Sequence, residues 1–133
     1  QLVDRMAEML QDPSQVVRGE AVSALGKLGK ASCEYTTEMA KLLSDLSNNV
    51  RGCAALALAG LGEVAAPYAS VVANLLYDPY ADVRKQACLA LGQMGRYGAA
   101  FADDLATFLQ DPAPEVREAA AAALKSLKAL ALS

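Results

Sequence analysis

Asp78-Pro79-Tyr80-Ala81-Asp82-Val83-Arg84-Lys85-Gln86-Ala87-Cys88-Leu89-Ala90-Leu91-Gly92-Gln93-Met94-Gly95 decides the fold of this chain. It reads as a turn followed by one amphipathic helix, and the same plan occurs four times. Val-Arg stands at 17–18, 50–51, 83–84 and 116–117, 33 residues apart each time. Asp12, Asp45, Asp78 and Asp111 keep that spacing, as do Ala21, Ala54, Ala87 and Ala120, and Leu25, Leu58, Leu91 and Leu124. Self-similarity at a fixed period of roughly 20–50 residues is the signature of a solenoid. Four periods of 33 take up 132 of the 133 residues, so the repeat is the whole chain, with units at about 1–33, 34–66, 67–99 and 100–133.

The bulk composition agrees with an ordered helical domain. Apolar residues make up 54% and charged residues 20%, enough to bury a core. Aromatics are only 5%, and a core of alanine and leucine favours closely packed helices, since these are the best apolar helix formers. The net charge of −3 argues against nucleic acid as the partner, because binding phosphates needs a basic stripe. No apolar run is long enough to span a membrane, and no signal-peptide pattern opens the chain. It begins at Gln1 and is expected to be a processed product or a fragment. Cys33, Cys53 and Cys88 are three in number and cannot all pair internally. They are expected to be free thiols in a reducing, intracellular compartment.

Each unit divides into two helices. In the first, Leu2, Met6, Met9 and Leu10 share one face of residues 1–11, and Asp4, Arg5, Glu8 and Gln11 point elsewhere. Asp12-Pro13 breaks this helix, because the residue before proline avoids the helical region and proline suits a first helical position. Asp12 is then expected to N-cap the second helix. That helix runs to about Leu28, with Val17, Ala21, Ala24, Leu25 and Leu28 inward, and Gly29 ends it as a left-handed residue. Further first helices are expected near 34–44, 67–77 and 100–110, and second helices near 47–61, 80–94 and 113–131. No segment alternates strictly, so no strand is expected. The fold class is all-α: eight helices in four antiparallel pairs, each pair needing its neighbours to cover its apolar faces.

The run Asp-x(4)-Val-Arg-x-x-Ala-x-x-Ala-Leu-Gly-x-Leu-Gly, as it stands at 12–29, closely resembles HEAT repeats. The short period is similar to the phycobilisome-lyase-like branch of that family, and the resemblance covers the entire chain. Ankyrin repeats share the period, but their Thr-Pro-Leu-His signature is absent here. The resemblance implies a right-handed superhelical stack with the second helices on its concave face. It also implies a hydrogen-bonded ladder between neighbouring units, carried by Asp12, Asp45, Asp78 and Asp111 with Arg18, Arg51, Arg84 and Arg117. The sequence departs from the pattern where Leu46 replaces proline, where Ala59 replaces glycine, and where Lys125 and Lys128 stand in place of glycines. With no glycine to stop it, the last helix is expected to run to about Leu132, its lysines suiting the carbonyl end of a helix.

Catalytic constellations are missing. There is no histidine, hence no Ser-His-Asp or Cys-His set and no histidine metal ligand. Gly26-x-x-Gly29 and Gly92-x-x-Gly95 end helices and offer no helix start to a phosphate. Asp103 and Asp104 are solvated acids of a first turn. No catalytic residue, metal or cofactor is therefore expected, which leaves the surface. Outside the core positions, the second helices present Gly19, Glu20, Ser23 and Lys27, then Gly52, Cys53, Leu56 and Gly60. These are followed by Lys85, Gln86, Leu89 and Gln93, then Glu118, Ala122 and Lys125. The middle of this strip, Cys53, Leu56, Lys85, Gln86, Leu89 and Gln93, suits an apolar helix face or an extended peptide, although Leu56 and Leu89 could equally pack between neighbouring helices. Tyr77 and Tyr80 stand where the other units have Gln, Ser or Ala, and tyrosine is enriched at binding hot spots.

Two functions follow. One is a non-catalytic protein–protein interaction or scaffold module, binding a peptide, helix or subunit on its concave face or edge, within a larger protein or assembly. The other rests on the resemblance alone: a bilin-lyase-like chromophore-handling enzyme or chaperone. Residues 119–123 are all alanine, and the C-terminal face around Ala122, Ala129 and Leu132 is expected to be covered by a further repeat, a copy of itself or another subunit.

Overall fold

The computed structural model describes residues 1–132. In chain order the helices are α1 (Leu2–Glu8), α2 (Gln15–Leu28), α3 (Thr36–Lys41), α4 (Asn48–Gly60) and α5 (Ala69–Asn74). They continue with α6 (Ala81–Gln93), the single turn α7 (Arg96–Ala99), α8 (Ala102–Thr107) and α9 (Pro114–Leu132). The short helices α1, α3, α5 and α8 each tighten into a 3-10 turn, at Met9–Gln11, Leu42–Ser44, Leu75–Tyr77 and Phe108–Gln110. These are the first arms; α2, α4, α6 and α9 are the second arms. Among the described residues this gives eight arms in four hairpins and no strand. Leu132 ends α9, but its side chain lies outside the described residues.

The second arms stack directly, α2 on α4, α4 on α6 and α6 on α9, with the first arms in a parallel layer behind them. The core lies between the layers. Leu25, Leu58 and Leu91 are fully buried, as are Val50, Val83 and Val116 from the second arms and Met39, Val72 and Leu105 from the first. The expected core changes at several positions: Leu2 and Met9, on the apolar face expected of the first helix, are 72% and 45% exposed at the open end of the stack. Leu28 is 42% exposed, and Val22, not expected in the core, is fully buried. A second arm is held by a first arm on one side and by second arms beside it, so its buried stripe is wider than one amphipathic face.

The arms α3, α5 and α8 begin two residues later than their expected helices, because a connector winds in between. Gly29–Tyr35 and Gly62–Tyr68 are 3-10 segments, and α7 serves the third joint. Each connector opens on a glycine of positive φ, 58° at Gly29, 75° at Gly62 and 60° at Gly95. Gly29 has ψ −125° and Gly95 ψ −133°, not the left-handed helical value expected, and that region is essentially closed to any residue with a Cβ.

The hairpin turn also corrects an expectation. Asp12 does not cap α2; Ser14 does, its hydroxyl accepting from the Val17 N–H. The Asp12 carboxylate instead accepts from the Ser14 N–H at 2.9 Å, one position before the helix. Asp45 does the same to Ser47, Asp78 to Tyr80 and Asp111 to Ala113, at 2.9–3.0 Å. Pro13 therefore sits in the turn, and only Pro114 takes a first helical position.

This geometry aims each aspartate at the unit before it. Arg18 donates from Nε and Nη2 to the two Asp45 oxygens at 2.9 and 3.0 Å. Arg51 grips Asp78 likewise at 2.9 and 3.2 Å, and Arg84 grips Asp111 at 2.8 and 3.1 Å. The third nitrogen, Nη1, reaches back to carbonyls of its own turn: Asp12, Asp45 and Asp78 accept at 2.8–2.9 Å. One guanidinium thus closes its own hairpin and locks the next. The rungs are shielded from water; Asp111 and Arg84 side chains are 4% and 15% exposed. Hydrogen bonding to Arg84 holds the Asp111 carboxyl below its usual range despite burial. For Asp45, burial pushes the other way but is outweighed by Arg18, the Ser47 N–H and the positive charge around it. Arg117 bonds only its own turn, through Nη1 to the Asp111 and Pro112 carbonyls.

Arg51→Ala and Arg84→Ala should each lower stability by about 1.5–3 kcal/mol, the value of hydrogen bonds to charged groups. Arg117→Ala, which breaks no rung, should lower it less. Urea midpoints are the measurement; unchanged midpoints for both rung variants would contradict the role given to the ladder.

Candidate interaction groove and edge

The second arms approach closely because small residues line their joints. A Cβ placed on Gly26 would lie 2.5 Å from the Ala57 Cα, and one on Gly92 2.9 Å from the Ala123 Cα. With the backbones this close, the side chains beside the contact stand apart. Between α2, α4 and α6 they leave a groove of about 300 Å³, lined by Ser23, Gly26, Lys27, Cys53, Leu56, Ala57, Gly60 and Gln93. Gly26 and Ala57 are buried at its bottom, and Lys27, Gly60 and Gln93 are exposed at its mouth. A second hollow, of about 480 Å³, shares Ser23, Lys27 and Cys53 and extends along α2 past Glu20 and Val16.

Three of the expected binding residues, Cys53, Leu56 and Gln93, meet in this groove. Leu89 joins Gln93 in a smaller hollow against Ala122 and Ser126 of α9. Leu56 and Leu89 are both half-buried and packed against the core, so each has a structural role as well as an accessible side. Gln86 departs from expectation: its side chain lies across α4, where a Cβ on Gly52 would be 3.0 Å from the Gln86 Cγ. The Gln86 Oε1 is buried there with no hydrogen-bond partner. Lys85 is exposed beside it. Gly26 and Ala57, the bottom of the groove, were not among the expected binding residues; their signals are two small-residue positions, Gly26, Ala59 and Gly92 at one and Ala24, Ala57, Ala90 and Ala123 at the other.

Tyr77 and Tyr80 lie away from the groove, at the hairpin turns. Tyr77 meets Phe108 edge to face, with centroids 5.2 Å apart, and its hydroxyl donates to Asp104 at 3.4 Å. The Arg51 guanidinium lies 5.9 Å from the centre of the Tyr80 ring. At the opposite edge, among the connectors, Tyr97 donates to Glu63 at 3.1 Å, and Arg96 donates to the Tyr97 oxygen at 2.9 Å and stacks on its ring. The Arg96–Glu63 pair is largely exposed, and such surface ion pairs contribute little.

Among the described residues, no three His, Cys, Asp or Glu side chains are grouped to hold a metal, and no helix is long and apolar enough to cross a membrane. All three cysteines are free. Burial pushes the Cys88 thiol up to about 12, whereas Cys53 opens to the groove.

A family model described as HEAT repeats matches residues 3–69 and again 68–131. No curated protein shows significant similarity to the chain. Among solved structures, the chain is similar to a designed armadillo repeat protein in complex with the peptide (KR)4, with TM-score 0.74 and 22% identity over 94% of this chain and 64% of that one. It is also similar to two engineered proteins. One has TM-score 0.73 and 21% identity over 96% of this chain and 63% of that one; the other has TM-score 0.70 and 22% identity over 95% and 37%. The chain thus spans less than two thirds of the length of these neighbours, and at such identities the likeness shows the fold alone.

Exposure and thiolate character together predict a labelling order. Under native conditions Cys33 and Cys53 should react with iodoacetamide, and Cys88 should stay unmodified until the protein unfolds. Mass spectrometry of tryptic peptides reads the outcome; early labelling of Cys88 would contradict the packing described for α6.

Proposed function

We propose that this chain, which belongs to the HEAT-repeat family, is a non-catalytic protein-interaction module that seats a peptide or helix segment of a partner in the groove between α2, α4 and α6. The observation that supports this reading is the make-up of that groove. Its bottom is backbone and small side chains at Gly26 and Ala57, its sides are Cys53 and Leu56, and its mouth carries Lys27 and Gln93. An apolar side chain inserted there would leave water for carbon and sulfur. Lys27 would donate at the rim to the carbonyls of the segment, and Gln93 would both donate and accept. A volume of about 300 Å³ suits one or two side chains, with the rest of the segment lying across the second arms. The groove holds no nucleophile–base pair of the kind acyl or phosphoryl transfer needs. Solenoids present extended faces for this use.

Selection of displayed random peptides on the immobilised chain should return apolar-centred binders. Cys53→Arg fills the groove from a half-buried position and should weaken them by about tenfold or more, roughly 1.4 kcal/mol, with little change in melting temperature. Binders indifferent to Cys53→Arg would overturn the reading. So would a shifted visible band on mixing the protein with free bilin, which would favour chromophore handling instead.

The same role in assembly extends to the end of the stack. Ala122 borders the hollow between α6 and α9 and faces the groove side, but Ala121, at the position where Val22, Ala55 and Cys88 are buried by the next arm, is exposed, as is Ala129, so self-association through the end of the stack is part of the proposal. Light scattering at roughly 100 µM, where micromolar pairs form, should give a mass above the monomer; a strict monomer would remove this part.

A further inference from the structure

At the turns of the second and third units, three residues break the repeat in the same direction. Leu46 stands where the other units have Pro13, Pro79 and Pro112, and it is 99% exposed. Tyr80 stands at the cap position where the Ser14 and Ser47 hydroxyls accept from Val17 and Val50, and it makes no such bond. Tyr77 stands in place of Gln11, Ser44 and Gln110. Tyr80 and Tyr77 are 53% and 62% exposed. Losing a serine cap destabilises a helix, and a leucine in water gives up the stiffness that proline confers on a turn. The changes at Leu46 and Tyr80 move apolar surface into solvent and weaken the isolated fold, whereas Tyr77 is exposed but packs on Phe108.

Leu46 and Tyr80 belong to one patch, joined through Arg51, and Tyr77 flanks it from the other side of Asp78. Arg51 donates through Nη1 to the Leu46 carbonyl at 3.3 Å and lies against the Tyr80 ring. It is fixed there by Asp78, the residue between Tyr77 and Pro79. Phe108 props the Tyr77 ring from beneath. The charge left around the patch is negative. Asp82 is exposed, held by the Asn48 amide at 3.0 Å, and Asp104 accepts from Tyr77 on the other side. Arg51, the cation at the centre, is already neutralised by Asp78.

We infer that this edge is a second docking surface, distinct from the groove, for a partner segment that presents apolar side chains between lysines or arginines. The apolar side chains cover Leu46 and Tyr80, and the cations meet Asp82 and Asp104. The aromatic rings add a face on which a guanidinium can stack. The surface stands on its own residues and does not need the groove to be occupied.

The test is titration of a fluorescent peptide of alternating leucine and lysine, with an alternating leucine–glutamate peptide as comparison. Proteins compared are the full chain, a Leu46→Pro/Tyr80→Ser double variant and Cys53→Arg. The double variant restores residues that the other units use, so it should melt at or above the parent temperature. The basic peptide should bind the parent, shift backbone amide signals around residues 46 and 80, lose about tenfold or more affinity in the double variant and be unaffected by Cys53→Arg. The acidic peptide should not bind. Equal binding of both peptides, or binding lost only with Cys53→Arg, would overturn the inference. So would a lower melting temperature for the double variant, or self-association that this variant abolishes, which would make a second copy the occupant.

Discussion

Everything in this molecule depends on one two-sided ion pair, the guanidinium that bonds its own turn with one nitrogen and the next unit's aspartate with two. A buried charge pair is not automatically stabilising, since both ions lose water on folding. Here the desolvation is offset by full hydrogen-bond use. Arg51 directs Nη1 at the Asp45 and Leu46 carbonyls and the rest of its fork at Asp78. Asp78 in turn accepts from the Tyr80 N–H. The aspartate therefore has to be pre-aimed, and the Asx turn does that. The bond that looked like a helix cap is the bond that orients the rung.

The second constraint is closeness. The ladder sets the register of neighbouring units, and Gly26, Ala57, Gly92 and Ala123 set how near their second arms come. The groove is a by-product of both. It forms where the backbones touch and the flanking side chains part, which is why its bottom is made of residues that have almost no side chain.

Much of this could be read from the chain before any coordinates. The period of 33 carried the hairpins, the core leucines and the rungs, because each of these recurs and a recurring residue announces its role. Features that depend on the neighbouring backbone are less legible. Gln86 looked like a surface residue but lies across Gly52, since its neighbour lacks a Cβ there. Val22 looked superfluous to one amphipathic face but is buried by an adjacent arm. Ser14 and Ser47 cap their helices, but the aspartates two residues earlier repeat in all four units and are equally competent caps by residue type, so the sequence alone favours the wrong residue. The connectors were legible only as glycines; that they wind as 3-10 turns depends on backbone angles no pattern of apolar residues records. Leu46 was visible as a departure, but its exposure and its place beside Tyr80 needed the folded turn.

The rungs all lie at the turn ends of the second arms, while the connectors with Gly29, Gly62 and Gly95 lie at the other ends. The stack is thus bound along both edges by different means: ion pairs at the turn side, and at the connector side backbone packed on backbone, where a Cβ on Gly60 would lie 2.7 Å from the Gly26 carbonyl oxygen, with hydrogen bonds from Tyr35 to Asp4, Tyr68 to Thr37 and Tyr97 to Glu63. Bending that keeps every rung intact would have to part these close-packed backbones, so both edges hold the curvature of the stack. The bottom of the groove, made of those same backbones at Gly26 and Ala57, is therefore rigid, and any adaptation to guests of different girth falls to the long side chains at its mouth, Lys27 and Gln93.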